Sequence, residues 1–218
     1  MGSTAGHPVE PSSTELRLVV EPGPVSLQAN RSKKDRFCDA LCSVLGEPEY
    51  LLSGEVSVSV EWMIHERLRY KTLVTPDVDN TLKVVLDAIS GPMGVLINDC
   101  QVQHVGCHWI DWTRPDEQVT VTIKHISDDW VRKKDLVFVK FDKHLCWPLN
   151  LDLPTALLQN VLTMVEQTID ANRELMALTD ACYLAQRVMP IQRFFHSGRL
   201  EGFKIMTVEQ IREHVRLT

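Results

Sequence analysis

The sequence predicts a mixed α/β (α+β) fold, a small mixed β-sheet with packed helices, followed by a mainly helical C-terminal extension. Three observations carry this. Residues 55–64 alternate strictly, Val56, Val58 and Val60 against Ser57, Ser59 and Glu61, which is the period of a half-buried strand. Leu82, Val85, Leu86 and Ile89 recur at i, i+3, i+4 and i+7, the apolar stripe of a helix. Leu157, Leu158, Val161, Leu162, Val165 and Ile169 keep helical spacing again, in a run that Pro190 stops.

Taken in order, residues 1–14 are rich in Gly, Pro, Ser and Thr and are expected to be disordered. Leu16–Val20 alternates as a strand and ends at a Pro22–Pro24 turn. Asn30–Lys34 reads as a polar, basic loop, and Asp35–Leu45 as a helix with Phe37, Ala40, Leu41 and Val44 on one face and Gly46 closing it. After the alternating strand, Glu66–Tyr70 reads as a charged hairpin tip, with Lys71–Val74 returning as a strand. Gln101–Trp109 and Gln118–His125 are two further strands, joined around Pro115. Four or five strands and two helices within residues 15–127 make one mixed layer.

Residues 128–218 continue with a basic patch at Arg132–Lys134, a strand at Leu136–Phe141, and a helix that Asp152 can cap from near Pro154. A last helix, Val208–Leu217, is announced by Thr207 and Gln210, the spacing of a capping box. The sequence carries no recognisable motif here. Arg187, Arg193, Phe194, Phe195, His196 and Arg199 form a basic-aromatic segment of the kind that binds nucleic acid or a partner.

The chemistry concentrates in Thr75–Asp99. Asp77 and Asp79 stand one residue apart behind a proline, in extended geometry that turns both carboxylates to one face. Asp79 stands where a helix N-cap would, and Gly91 where the helix would stop. Lys83 and Asp87 follow Asp79 at four-residue steps, off the apolar stripe. Pro92–Gly94 then turns the chain, and Val95–Ile97 runs as a short strand into Asn98–Asp99. Asp77, Asp79 and Asp99 can therefore converge. Clustered carboxylates repel unless a cation sits among them, and hard oxygen donors suit Mg²⁺ or Mn²⁺. The chemistry implied is phosphodiester hydrolysis, with Lys83 steadying a phosphate or the attacking water.

The run Pro76–Gly91, with Val95–Val102 after it, resembles the signature of the RusA family of endonucleases, which resolve four-way (Holliday) DNA junctions. Asp77, Asp79, Asn80, Lys83, Asp87, Asp99, Gln101 and Val102 match its pattern at fixed intervals, and the likeness spans about residues 15–126. The resemblance implies a Mg²⁺- or Mn²⁺-dependent endodeoxyribonuclease acting on four-way or other branched DNA in recombination and repair. It assigns Asp77, Asp79 and Asp99 to the metal and Lys83 to catalysis. It further implies DNA contacts from Arg31, Lys33, Lys34 and Arg36, and a homodimer. Where the family usually carries two acids, this chain has Asn98–Asp99, so the alternative is a catalytically impaired RusA-like module that binds DNA or protein.

The net charge of −6 is unusual for a DNA-acting chain. It lies wholly in residues 1–127, with 11 Lys and Arg against 17 Asp and Glu; residues 128–218 balance at 12 and 12. Cations bound at an acidic site would offset part of that excess, leaving the local patches Arg31–Arg36 and Arg67–Lys71 as candidate phosphate contacts. Six scattered cysteines read as reduced thiols. Cys100, His104, Cys107 and His108 cluster, but there is no C-x-x-C, and strand alternation separates their side chains, which argues against zinc. The chain lacks a run long enough to span a membrane and is expected to be cytoplasmic.

Overall fold

The computed structural model describes residues 14–21, 23, 25–26, 28–46, 48–71, 78–114, 116–179 and 193–217. The chain divides into two compact units between Lys133 and Lys134.

The first unit is built on a four-stranded sheet of order β1-β5-β3-β4. Its strands are β1 (Glu15–Val20), β3 (Val56–His65), β4 (Val102–Trp112) and β5 (Gln118–Lys124). β5 runs antiparallel to both β1 and β3, whereas β3 and β4 are parallel. Strict alternation in β3 becomes strict alternation in burial: Val56, Val58, Val60, Trp62 and Ile64 are buried, and the residues between them are half-buried. Phe37 and Leu41 of α1 (Arg31–Leu45) and Val84, Val85 and Ile89 of α3 (Val78–Ile89) join the same apolar core. At β4, the opposite sheet edge, no residue beyond Gln101 is fully buried.

Two parallel strands need a crossover, and α3 supplies it between β3 and β4. Gly91, at φ 89°, ends α3 in the left-handed region, and its N–H bonds Leu96 O at 2.9 Å. The N–H groups of Val95 and Leu96 both donate to Ile89 O at 2.9 Å. A Cβ on Gly94 would collide with that same Ile89 carbonyl, so the turn requires glycine there. Val95–Ile97 forms only isolated bridges, to Leu52 of β2 (Tyr50–Leu52) and to Ser90, in place of the expected strand.

Three expectations are corrected. The stretch Asn30–Lys34 is not a loop: Asn30 caps α1, accepting from Lys33 N at 3.0 Å, so the helix begins four residues early. Glu66–Lys71 is the short helix α2, not a hairpin tip; it starts where Arg67 N donates to His65 Nδ1 at 3.1 Å, and the strand expected at Lys71–Val74 lies, beyond Lys71, outside the described residues. Asp79 lies inside the first turn of α3 and is not its cap. The expectations for residues 1–13, Pro22, Pro24 and 72–77 fall outside the described residues.

Residues 128–133 pack with the first unit. β6 (Trp130–Arg132) pairs antiparallel with β2, Ser53 N donates to Asp129 O at 2.8 Å, and Lys133 Nζ donates to Gly94 O at 2.8 Å.

The second unit is richer in helix than in strand, but its helices rest on a four-stranded sheet of order β10-β7-β8-β9. The strands are β7 (Leu136–Lys140), β8 (Leu145–Asn150), β9 (Phe195–His196) and β10 (Ile205–Thr207). Val137, Val139 and Leu149 pack with Leu158 and Leu162 of α4 (Thr155–Thr179) and with Val208, Ile211 and Val215 of α5 (Val208–Leu217). Phe138 packs edge-on against Phe195 and Phe203, with centroids 5.9 and 5.0 Å away. The Thr207–Gln210 capping box forms as expected, with bonds of 2.8 and 3.3 Å. Phe195 is buried, which removes it from any base-stacking surface; Arg187 lies outside the described residues.

Candidate active site

The crossover that joins β3 to β4 carries the site. α3 presents Asp79, Lys83 and Asp87 at four-residue steps on its exposed side, opposite buried Thr81, Val84, Val85 and Ile89. Asp99 opens the single 3-10 turn (Asp99–Gln101) that leads straight into β4. Lys83 Nζ bridges the two ends of the crossover, donating to Asp87 Oδ1 at 2.6 Å and to Asp99 Oδ2 at 2.9 Å. Hydrogen bonds to Asp87 first, then Asp99, push the Lys83 ammonium above its ordinary pKa. The lysine is therefore a fixed cation at any neutral pH.

The mount behind Asp99 is more deeply buried than the acid itself. Gln101 is fully buried. Its Nε2 donates to Leu52 O and Gly54 O, both at 2.8 Å, while its Oε1 accepts from Asn98 N at 3.0 Å. Asn98 Oδ1 accepts from Cys100 N at 3.0 Å, completing a capping box around the turn. Asn and Asp cap equally well, so an amide at position 98 performs the backbone task that an acid would. Sequence reasoning matched Gln101 to a pattern but assigned it no role. Its signal was a buried-type amide at a strand entrance, and only the fold supplies its partners.

Among the described residues, no group of three or more His, Cys, Asp or Glu side chains forms a metal-sized cluster. The structure brings Lys83, Asp87 and Asp99 together and places Asp79 one turn before Lys83. Asp77, the remaining acid of the expected set, is outside the described residues. In donor chemistry the described acids fit a hard divalent cation: they offer carboxylate oxygens on a solvent-reached face with no thiol or imidazole among them. The thiols of Cys38 and Cys42 are pushed up chiefly by burial, which keeps them protonated and disfavours a soft metal.

Of the expected DNA contacts, Arg31, Lys33 and Arg36 are exposed and Lys34 is half-buried, all within the first two turns of α1, which packs beside α3. Arg31 lies 3.8 Å from Asp35. In the other basic patch, Arg69 is already engaged, bonded to Asp111 at 2.7 Å and lying 5.0 Å over the Trp109 ring.

Residues 33–124 match the family model described as endodeoxyribonuclease RusA. Over this segment the chain is similar to the RusA family. The match takes in α1 from Lys33 onward, the whole crossover and β5, and none of the second unit. No curated protein matches the chain. The matched residues include Asp79, Lys83, Asp87 and Asp99, which the geometry singles out.

Proposed function

We propose that the first unit is a Mg²⁺- or Mn²⁺-dependent endonuclease that cleaves four-way or other branched DNA. The observation that supports it most is Lys83, held at once by Asp87 and Asp99 on a crossover helix whose first turn carries Asp79. Asp79 and Asp99, with Asp77, would hold the metal. When bound, the metal supplies an activated water and charge stabilisation at the leaving oxygen. Lys83, fixed as a cation, donates to a non-bridging oxygen of the scissile phosphate and stabilises charge that develops there. Arg31, Lys33, Lys34 and Arg36 contact the phosphate backbone of an arm, where they fix register without reading sequence. A four-way junction has two-fold symmetry, so the proposed working form is a homodimer. The compartment that goes with this reading is the cytoplasm; no described helix is long and apolar enough to cross a membrane.

The test is cleavage of a synthetic four-way junction with Mg²⁺, with Mn²⁺ and with EDTA, by the wild-type protein and by Asp79→Asn. Paired symmetric nicks that need metal and vanish in the variant are expected. A folded protein that binds the junction and never cuts it would replace the nuclease by a DNA-binding module.

A further inference from the structure

We propose that Gln101 is a positioning residue of this site: it holds the turn that presents Asp99 to the metal and to Lys83. The inference rests on the nuclease reading. Gln101 has no exposed surface, so it can touch neither metal nor DNA, and any effect it has must run through its neighbours. The hydrogen bonds of its side-chain amide go to backbone groups. Its Nε2 donates to Leu52 O and Gly54 O, and its Oε1 accepts from Asn98 N, the residue before Asp99. Asn98 returns a bond to Cys100 N, the residue after it. Asp99 is thus gripped on both sides by a clamp anchored in a different strand, and its carboxylate meets Lys83 at 2.9 Å. A buried amide donating to two carbonyls is costly to replace, because the carbonyls would be left without partners.

The clamp also accounts for the amide at position 98. Asn98 contributes its side-chain oxygen to the backbone of the turn, so its job is to shape the mount and not to bind the cation.

The test compares Gln101→Met, which keeps the bulk and removes every hydrogen bond, and Gln101→Glu, which keeps an acceptor and removes the donors. Val58→Ala, a core change in β3 away from the turn, serves as a control for general loss of stability. Mn²⁺ binding is measured by calorimetry, and amide hydrogen exchange is followed at Asn98 and Cys100 without metal. Both Gln101 variants are expected to lose protection at these two amides and to bind Mn²⁺ about 10–100-fold more weakly, as partners behind a metal ligand do. Val58→Ala is expected to leave both readouts unchanged. Wild-type Mn²⁺ affinity in Gln101→Met, or equal weakening in Val58→Ala, would overturn the proposal. If the wild-type protein binds no Mn²⁺, the nuclease reading fails; retained exchange protection in Gln101→Met would then separately refute the clamp.

Discussion

The two units contain the same electrostatic device, and only one of them has the makings of a site. On α3, Lys83 lies between Asp87 and Asp99; on α4, Arg173 lies between Asp142 and Asp170, at 2.7 and 3.3 Å. The two helices differ in topology: α3 lies between the parallel strands β3 and β4, whereas α4 lies between β8 and β9, which pair antiparallel. A cation shared by two acids is therefore no sign of catalysis by itself. What differs is the setting. Asp99 keeps 32% of its side chain exposed and sits on a turn locked by Gln101, whereas Asp142 and Asp170 are 53% and 70% exposed. A further acid, Asp79, lies one turn before Lys83 on the same face, so the charge there remains unbalanced. The contrast between the two units therefore lies in the hydrogen-bonded mount and the additional acid, not in the ion pair.

The sharpest way to break this contrast is to remove each cation in turn. Lys83→Ala is expected to lower junction cleavage by on the order of 100- to 1,000-fold, the scale of one lost stabilising donor, while Mn²⁺ binding survives. Arg173→Ala should leave cleavage unchanged, because its pairs are screened by solvent and lie outside the unit that carries the site. Comparable losses of cleavage in the two variants would erase the distinction between the devices. Single-turnover kinetics on a four-way junction decides it.

A smaller effect sharpens the account of the mount. Asn98→Ala removes the cap and is expected to cost about 0.5–1 kcal/mol in a denaturant titration, whereas Asn98→Asp should match the wild type in stability. An Asn98→Ala protein as stable as wild type would show that the capping box contributes nothing.

The smallest expected effect lies away from the acids. Glu117 sits beneath Gly23, where an added Cβ would collide with it, and burial pushes its carboxyl above the ordinary range. The Trp62 indole N–H offsets part of this, although it makes no well-aligned hydrogen bond. Between the unfolded and the raised folded pKa, the folded state holds a proton that the unfolded state has released. Stability therefore falls as pH rises through that window and stays lower above it. Glu117→Gln should flatten this slope and be the more stable protein at neutral pH. Denaturant midpoints measured from about pH 4 to 7 check it.

Much of the first unit was legible because one physical signal dominated each element. β3 has one buried face, and its alternation said so; α3 has one apolar stripe, and Gly91 marked its end. Reading failed where signals competed. The strand expected at Leu136–Phe141 forms as β7, but β8, interrupted by Pro148, carries no alternation that announces it. β9 and β10, at two and three residues, exist only through their pairing partners. The charges of Glu66–Lys71 suggested a solvated tip, yet they fit a short helix as well. At the site, the residue types and spacing of Asp79, Lys83 and Asp99 were readable, but the clamp was not: Gln101 finds its partners 47 and 49 residues earlier, a distance no local pattern encodes.

That span has a consequence for how the protein comes into being. The Lys83–Asp99 contact closes a loop of 16 residues and can form as soon as the crossover does. The bonds from Gln101 to Leu52 and Gly54 need β2 already laid beside the crossover, a less local event and a slower one. The charged half of the site is thus local in the chain and its scaffold long-range. A chain that has made the first contact and not the second carries its acids and its lysine, yet lacks the geometry to use them.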